Sequence, residues 1–155
     1  GMTHPSTTAV AADPRAPDRE VPFLALLAAS NRCQDGFERL LLQHGLTLPQ
    51  YNVLRILRGG GPHGLCRHEV GSRLLSRGPD VTRLLDRMEA MRLVVRERSA
   101  EDRRLVAAKL TSTGRAKVDA LDPLVAAEHR RQQESLSEGE LQLLTALLER
   151  FGASG

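Results

Sequence analysis

The feature that most limits what this chain can fold into is a short amphipathic helix placed just after a glycine-containing turn. Residues 79–91 repeat apolar side chains at the spacing of one buried helical stripe, formed by Val81, Leu84, Leu85, Met88 and Met91. Pro79 suits the first helical position because its missing N–H would have no partner there. Asp80 is expected in the first turn, where the helix dipole favours negative charge. The pattern predicts a helix that begins near Pro79.

A second helix is predicted directly upstream, over residues 66–75, with Val70, Leu74 and Leu75 on its inner side. Residues 76–78 (Ser-Arg-Gly) would turn the chain between the two helices. Two short helices joined by a turn of this length match the helix-turn-helix motif.

Two segments with strand composition follow the second helix, at residues 93–98 and 103–110, on either side of the polar tip 99–102. We therefore predict a winged helix-turn-helix. The expected fold class is mainly α, with a small two- or three-stranded β-wing and a helical lobe outside the winged domain.

Positive charge is concentrated in this part of the chain. Residues 48–104 contain twelve arginines, no lysine and seven acidic residues, whereas the whole chain has a net charge of +3. Such clustering is the electrostatic pattern of a phosphate-binding surface. Arginine also suits bidentate contacts with guanine edges and insertion into narrow minor grooves.

Several runs of the sequence resemble the MarR (multiple antibiotic resistance regulator) family of bacterial transcription factors. They are LTLPQYNVLRIL, HEVGSRL, DVTRLLDRMEAMRLVVRE and SAEDRRLVAAKLTSTG, and the resemblance covers residues 23–151. The most specific part is the wing signature Asp102-Arg103-Arg104, which is followed by Leu110-Thr111-x-x-Gly114. The resemblance implies a homodimer that binds a pseudo-palindromic operator on double-stranded DNA, as a repressor released by a small ligand.

The helix-turn-helix geometry assigns roles to residues of the second helix and the wing. The second helix would read base edges or contact phosphates, and Asp80 could accept a hydrogen bond from cytosine. Asp102 is expected to orient a wing arginine and so to stabilise the wing. The predicted DNA-binding residues are Arg77, Pro79, Asp80, Thr82, Arg83, Arg87, Arg98, Arg103 and Arg104.

Two positions depart from the family pattern. The helix before the turn usually opens with a Thr or Ser cap and a Glu three residues later, and this chain has Cys66 in the cap position with Glu69 in place, so half of the capping box is lost. Where the second helix gives way to the wing strand, the family usually has glycine in a left-handed cap, and this chain has Arg92. Either the cap is built differently here, or Arg92 adopts a costly positive φ.

The rest of the chain is predicted to be helical apart from its start. Residues 1–17 read as a disordered tail, 18–46 as a dimerisation helix, 47–110 as the winged domain and 111–155 as C-terminal dimerisation helices. The helix over 18–46 has an apolar stripe that far outreaches the small winged domain. The resemblance implies that a second copy covers it, and the alternative is packing within one subunit.

Composition excludes several classes of protein. Cys33 and Cys66 are too few for a disulfide framework and indicate a reducing compartment. The longest uncharged apolar stretch, residues 21–31, is too short to span a bilayer, so we expect a cytoplasmic protein without a membrane partner. No catalytic arrangement or nucleotide-binding loop is visible, and neither an enzyme nor a cofactor is predicted. A winged-helix protein-interaction module is an alternative, although it would lack Arg83 and Arg87.

Three further sites are hypotheses. The resemblance implies a pocket for a small aromatic ligand, and Phe37, His44, Tyr51 and Arg55 lie on the helices that would line it. Cys33 offers an alternative trigger, a thiol-based redox response, although a buried thiol with no basic activator usually only packs, and Arg32 is the only adjacent cation. A cluster of His63, Cys66 and His68 has metal-binding residue types, but its spacing matches no structural zinc motif and no metal is predicted.

Overall fold

The computed structural model describes residues 18–75 and 80–153. It divides the chain into two compact units, with the boundary between Cys33 and Gln34. The predicted tail over residues 1–17, the turn at 76–78 and Pro79 all lie outside the described residues.

The described residues form six helices and three strands, which confirms the predicted fold class. The short strands make one antiparallel sheet in the order β1-β3-β2, in which Leu65 pairs with Ala108 and Arg96 pairs with Ala108 from the other side. The elements are α1 (Glu20–Leu42), α2 (Leu48–Arg58), β1 (Leu65–Cys66), α3 (Arg67–Arg73), α4 (Val81–Ala90), β2 (Val94–Arg98), β3 (Val106–Leu110), α5 (Ser112–Gln133) and α6 (Glu138–Arg150).

Polar caps determine where most helices begin. The hydroxyl groups of Thr47, Thr111 and Ser137 each accept a hydrogen bond from the backbone N–H three residues later, at the starts of α2, α5 and α6. At Thr47 and Ser137 the third helical residue, Gln50 or Glu140, accepts the N–H of the cap in return. Each cap joins two groups three residues apart in the chain, which is the spacing of the capping pattern in the sequence.

The core lies in the second unit, and aliphatic side chains build it. Leu54, Val53 and Val70 from α2 and α3 are fully buried, as is Met88 from α4. Val118 brings α5 into the same cluster. Helices α2, α3, α4 and α5 therefore pack around one shared apolar centre.

Three predicted boundaries were wrong. The helix near Pro79 begins at Val81, and Asp80 is its N-cap rather than a residue of its first turn, because the Asp80 carboxylate accepts the Arg83 N–H at 3.2 Å. The upstream helix covers only Arg67–Arg73 and not residues 66–75: Cys66 is its N-cap, as predicted, and also belongs to β1, and Leu74 is its C-cap. The return strand begins at Val106 instead of residue 103, because residues 102–105 form a turn.

Two helical segments keep large apolar side chains exposed. In the first unit Val21, Phe23 and Leu24 are each more than half exposed. In α6 no residue is buried, and the exposed side chains are Leu143, Leu144, Leu147, Leu148 and, at its end, Phe151. Across the described ranges no helix is both long and apolar enough to cross a membrane.

Candidate nucleic-acid interface

Helix α4 presents two different faces. Leu85 and Met88 are 2% and 0% exposed and hold the helix against the core, while Arg83 and Arg87 are exposed. Because the apolar face is fixed, the rotation of the helix about its axis is fixed as well, and the arginines must face solvent. Thr82, one residue before Arg83, is half-buried.

The start of α4 depends on Asp80. Its Oδ1 accepts the Arg83 N–H at 3.2 Å, and its Oδ2 lies 4.0 Å from the Arg83 Nε. Both groups are mostly exposed, so this ion pair is weak. The cap therefore occupies one oxygen of the Asp80 carboxylate, the group that could accept a hydrogen bond from cytosine.

The end of α4 resolves the question raised by Arg92. This residue adopts φ +62°, the left-handed conformation, and among the residues that the structure describes no other non-glycine has positive φ. The Thr111 hydroxyl donates to the Arg92 carbonyl at 2.7 Å, and the Leu93 N–H donates to the Met88 carbonyl at 3.0 Å. The second alternative is therefore correct, and the cap keeps its usual shape at the cost of strain in Arg92.

The tip of the wing is organised by Asp102. Its carboxylate accepts both the Nε and Nη2 of Arg104 at 3.0 Å, and also the Arg104 backbone N–H. The Arg104 side chain lowers the pKa of Asp102 below its ordinary value. Arg98 donates to the Arg103 carbonyl at 3.2 Å, and the Ser99 N–H donates to Leu105 across the base of the loop. The loop thus holds three arginines close together, and the Arg103 side chain is exposed.

Arg96 has a structural role that sequence reasoning missed. Its Nη2 donates to Asp86 at 2.5 Å and to Glu89 at 3.1 Å, so it joins β2 to the outer side of α4. The guanidinium lowers the pKa of Glu89. Nothing in the local sequence indicates this contact, because the partners lie seven and ten residues away and meet only when the wing folds back.

Arg58 is a second structural arginine. It donates to Asp119 and Asp122 at 2.7 Å each, which ties α2 to α5, and it lowers the pKa of Asp122. The arginine cluster seen in the sequence therefore divides into side chains that brace the fold and side chains that face solvent.

The four residues predicted to line a ligand pocket lie in different surroundings. Tyr51 is buried in the core, and burial raises the pKa of its hydroxyl, which lies beside Arg55. The Phe37 ring packs on His129 with centroids 4.7 Å apart, and His44 is half-buried after α1. Arg55 is exposed at the rim of a depression of about 270 Å³ with Arg73. This pocket stays a prediction.

A larger cavity, of about 870 Å³, lies against α4 on the side facing the corner between α1 and α2. Leu42, Leu46, Leu84 and Met91 supply its apolar walls. Arg83 and Arg87 also line it, so one open space touches both an apolar surface and the exposed cations of α4.

The remaining candidates have plain structural descriptions. Cys33 is exposed and Cys66 is half-buried. No group of three metal-binding side chains is found in the described ranges 18–75 and 80–153, so His63, Cys66 and His68 do not form a site there. Arg77 and Pro79 lie outside the described residues.

Comparison with known proteins gives concordant matches. A family model described as the MarR family matches residues 44–105. The homoprotocatechuate degradative operon repressor of Escherichia coli is 30% identical over 132 residues, which cover 85% of this chain and 88% of the repressor.

Solved structures agree with that match. A MarR transcription factor from Planctomyces limnophilus is 34% identical, with a TM-score of 0.67 and coverage of 86% of this chain and 97% of that one. BpsR of Bordetella bronchiseptica, whose DNA binding is described as regulated by 6-hydroxynicotinic acid, is 25% identical, with a TM-score of 0.74 and coverage of 86% and 99%.

Proposed function

The chain belongs to the MarR family of DNA-binding transcription regulators, and we propose that it is a repressor that binds a pseudo-palindromic operator as a homodimer. Members of this family are transcription regulators and not enzymes. A dimer would insert two copies of α4 into successive major grooves, one helical turn apart. The observation that carries the proposal is the exposure of Arg83 and Arg87 on a helix whose opposite face is buried.

The proposed contacts divide between the groove and the backbone. Thr82, Arg83 and Arg87 would reach base edges or phosphates in the major groove. Asp80 would act mainly through its cap on α4, and Asp102 through its pair with Arg104. The wing arginines, Arg98, Arg103 and Arg104, would contact the backbone or the adjacent minor groove, and Arg77 and Pro79 would lie beside the start of α4.

Exposed apolar surface supports the homodimer. Five large apolar side chains of the α6 region, residues 143–151, are each between 43% and 59% exposed. The start of α1 exposes Val21, Phe23, Leu24 and Leu27. An exposed group of large apolar side chains on one helix marks a protein interface, and for each of these two helices a second copy of the same chain is the partner we propose.

DNA binding can be tested by fluorescence anisotropy on duplexes that the protein itself selects from a random library. We expect saturable binding that exceeds binding to scrambled DNA and weakens steeply with salt. Arg87→Ala should reduce operator affinity by about tenfold or more, whereas Arg115→Ala, an exposed arginine of α5, should leave it unchanged. Equal, salt-insensitive behaviour of selected and scrambled DNA would reject the repressor and favour a winged-helix interaction module.

We also propose that an aromatic carboxylic acid releases the operator. Homoprotocatechuate and 6-hydroxynicotinic acid, which appear in the descriptions of two similar proteins, are both aromatic acids. The cavity beside α4 offers apolar walls and two guanidinium groups, which together suit such a ligand. A bound acid would neutralise Arg83 and Arg87 and so compete with DNA. The site formed by Phe37, His44, Tyr51 and Arg55 is the rival location.

Two variants separate the two locations. Ala90 lines the cavity beside α4 and is exposed, so Ala90→Phe would fill that space while keeping both arginines. If the ligand binds there, Ala90→Phe abolishes release by 6-hydroxynicotinic acid, and Arg55→Ala responds normally. The reverse pattern would assign the ligand to the rival location, and release from both variants would exclude both.

A redox-responsive repressor is the second candidate, and the exposure of Cys33 favours it. A solvent-accessible thiol can be oxidised by peroxide where a buried one cannot. Peroxide should then release operator DNA from the wild type but not from Cys33→Ser. Equal sensitivity of the two proteins would eliminate this trigger.

A further inference from the structure

An open notch separates the recognition helix α4 from the wing. It has a volume of about 500 Å³, and the start of α3 forms its floor. The side chains that line it come from all three elements and include Arg67, His68, Thr82 and Arg104. A second depression of about 500 Å³ shares Arg67, His68 and Thr82 and continues past Gly71 and Ser72. The two spaces form one groove that passes over Arg67.

Arg67 is fixed in this groove by α4. Its Nη1 donates to the Thr82 Oγ1 at 3.1 Å, which uses one of its five N–H donors. The side chain is otherwise exposed, so the remaining donors face the groove. The Thr82 oxygen accepts this hydrogen bond, so the contact joins α3 to the first turn of α4.

The nearby carboxylates are already engaged. Asp86 and Glu89 pair with Arg96, and Glu69 accepts the Cys66 backbone N–H at 3.1 Å. Asp102 pairs with Arg104 through the Nε and Nη2 of the guanidinium, so the third nitrogen of that group takes no part in the pair. No ion pair to Arg67 is found in the described part of the chain. The lining of the notch therefore contains three guanidinium groups and no carboxylate, and Arg67 is the one of the three with no ion pair among the described residues.

We propose that this groove seats a backbone phosphate of the DNA strand that passes from the major groove at α4 to the minor groove at the wing. Arg67 is its main ligand, and Arg104 approaches from the wing side. The chemistry recognised is a phosphodiester oxyanion held by charge-assisted hydrogen bonds. The inference rests on the proposed docking of α4 and the wing, and adds a contact from α3 that joins them.

The test compares Arg67→Ala with a matched control on the same helix. Arg73 is also an exposed arginine of α3, but it lines the depression beside Arg55 and not the groove. Arg67→Ala should lower affinity for the selected operator by about tenfold. It should also reduce the slope of log affinity against log salt by about one. Arg73→Ala should change neither value, and circular dichroism checks that both variants fold.

Two further variants distinguish a phosphate contact from a merely structural one. Arg67→Lys keeps the charge, so it should retain most of the salt slope while losing part of the affinity. Thr82→Val removes the hydrogen bond to Arg67 but no charge, so it should leave the slope intact. A slope that falls equally in Thr82→Val and Arg67→Ala would mean that Arg67 only braces α4, and would overturn the proposal.

Single methylphosphonate substitutions locate the contact on the DNA. Neutralising one phosphate, between the half-site and its flanking minor groove, should lower the affinity of the wild type for the operator. The same substitution should not lower the affinity of Arg67→Ala any further. If every methylphosphonate weakens both proteins equally, the phosphate seat is wrong although the DNA-binding function stands. If the wild type binds no duplex at all, the proposed DNA-binding function is rejected, and the phosphate contact at Arg67 is rejected with it.

Discussion

Helices α4 and α6 have the same kind of amphipathic pattern, but the apolar face of α4 is buried and that of α6 is exposed. In α4 the apolar face is buried, with Leu85 and Met88 almost inaccessible to solvent. In α6 no residue is buried, and Leu143 is 59% exposed. An apolar stripe thus indicates that a face will be covered, but it does not say whether the chain itself supplies the cover.

This difference in burial suits the two helices to different proposed functions, DNA reading for α4 and association for α6. Burial of one face of α4 fixes the direction of Arg83 and Arg87, which a DNA-reading helix requires. The open face of α6 leaves apolar surface that the proposed second copy would cover, and binding to a two-fold operator would require such a dimer. The winged domain is complete within one chain, whereas the proposed dimerisation surface is complete only in two.

The largest expected effect comes from placing charge on the open face. Leu147→Glu combined with Leu148→Glu should convert the proposed dimer to a monomer, because two carboxylates would be buried without partners. Operator affinity should fall by about a hundredfold or more, since each monomer can occupy only one half-site. Light scattering after size exclusion and DNA anisotropy measure the two effects.

The control places the same charge on the other side of the helix. Gln142→Glu with Thr145→Glu adds two carboxylates at exposed positions of α6 and should preserve the dimer. A wild type that is monomeric at micromolar concentration would remove the basis of this comparison and refute the homodimer.

The next largest expected effect is a loss of folding stability when a buried leucine of the core is truncated. Leu54 in α2 is 0% exposed, so Leu54→Ala should destabilise the protein by about 2–5 kcal/mol through lost packing and a cavity. Leu42→Ala, at a position 76% exposed, should cost less than about 0.5 kcal/mol. Urea unfolding at one fixed protein concentration measures both, since association would shift the midpoint. Equal losses would contradict the described core.

A smaller effect is expected from a group of polar side chains within α5. Glu128 accepts hydrogen bonds from Arg131 and from Gln132, and the arginine pair in particular lowers its pKa from 4.5 to about 2. A depressed carboxyl pKa stabilises the folded state above pH 4.5, and that contribution disappears as pH falls toward 2.

Glu128→Gln should therefore cost about 1 kcal/mol at neutral pH, discounted because Arg131 is more than half exposed. The variant should also lose part of the acid sensitivity between pH 4.5 and about 2. Urea midpoints across that range test the sign. A wild type and variant that lose stability in parallel on acidification would show that Glu128 contributes nothing.

The smallest effect concerns the junction of α4 and the wing. Arg92→Gly should stabilise the protein by about 0.5 kcal/mol, because relief of left-handed strain exceeds the extra freedom of glycine in the unfolded chain. Arg92→Ala keeps the strain and should give no gain. A thermal midpoint that rises for glycine alone supports this account. A loss of stability in Arg92→Gly would mean that the arginine side chain itself contributes.

Local signals predicted much of this structure. The caps at Thr47, Thr111 and Ser137 are recognisable because the two interacting groups are three residues apart. The start of α4 was misjudged by two residues, since proline and aspartate are both common in the first positions of helices, and only geometry distinguishes cap from first turn. The wing strand was predicted too long, because the turn at residues 102–105 depends on the Asp102 carboxylate.

The sequence by itself determined the winged helix-turn-helix class, the order of its elements and the concentration of arginine around them, because periodicity, caps and charge act over a few residues. Only the tertiary structure decided what each arginine does. Arg96 and Arg58 find carboxylates on other elements, Arg67 is held by Thr82, and Arg83 faces solvent. Such pairings depend on distances that exist only after α4, the wing and α5 have packed, and no local pattern encodes them.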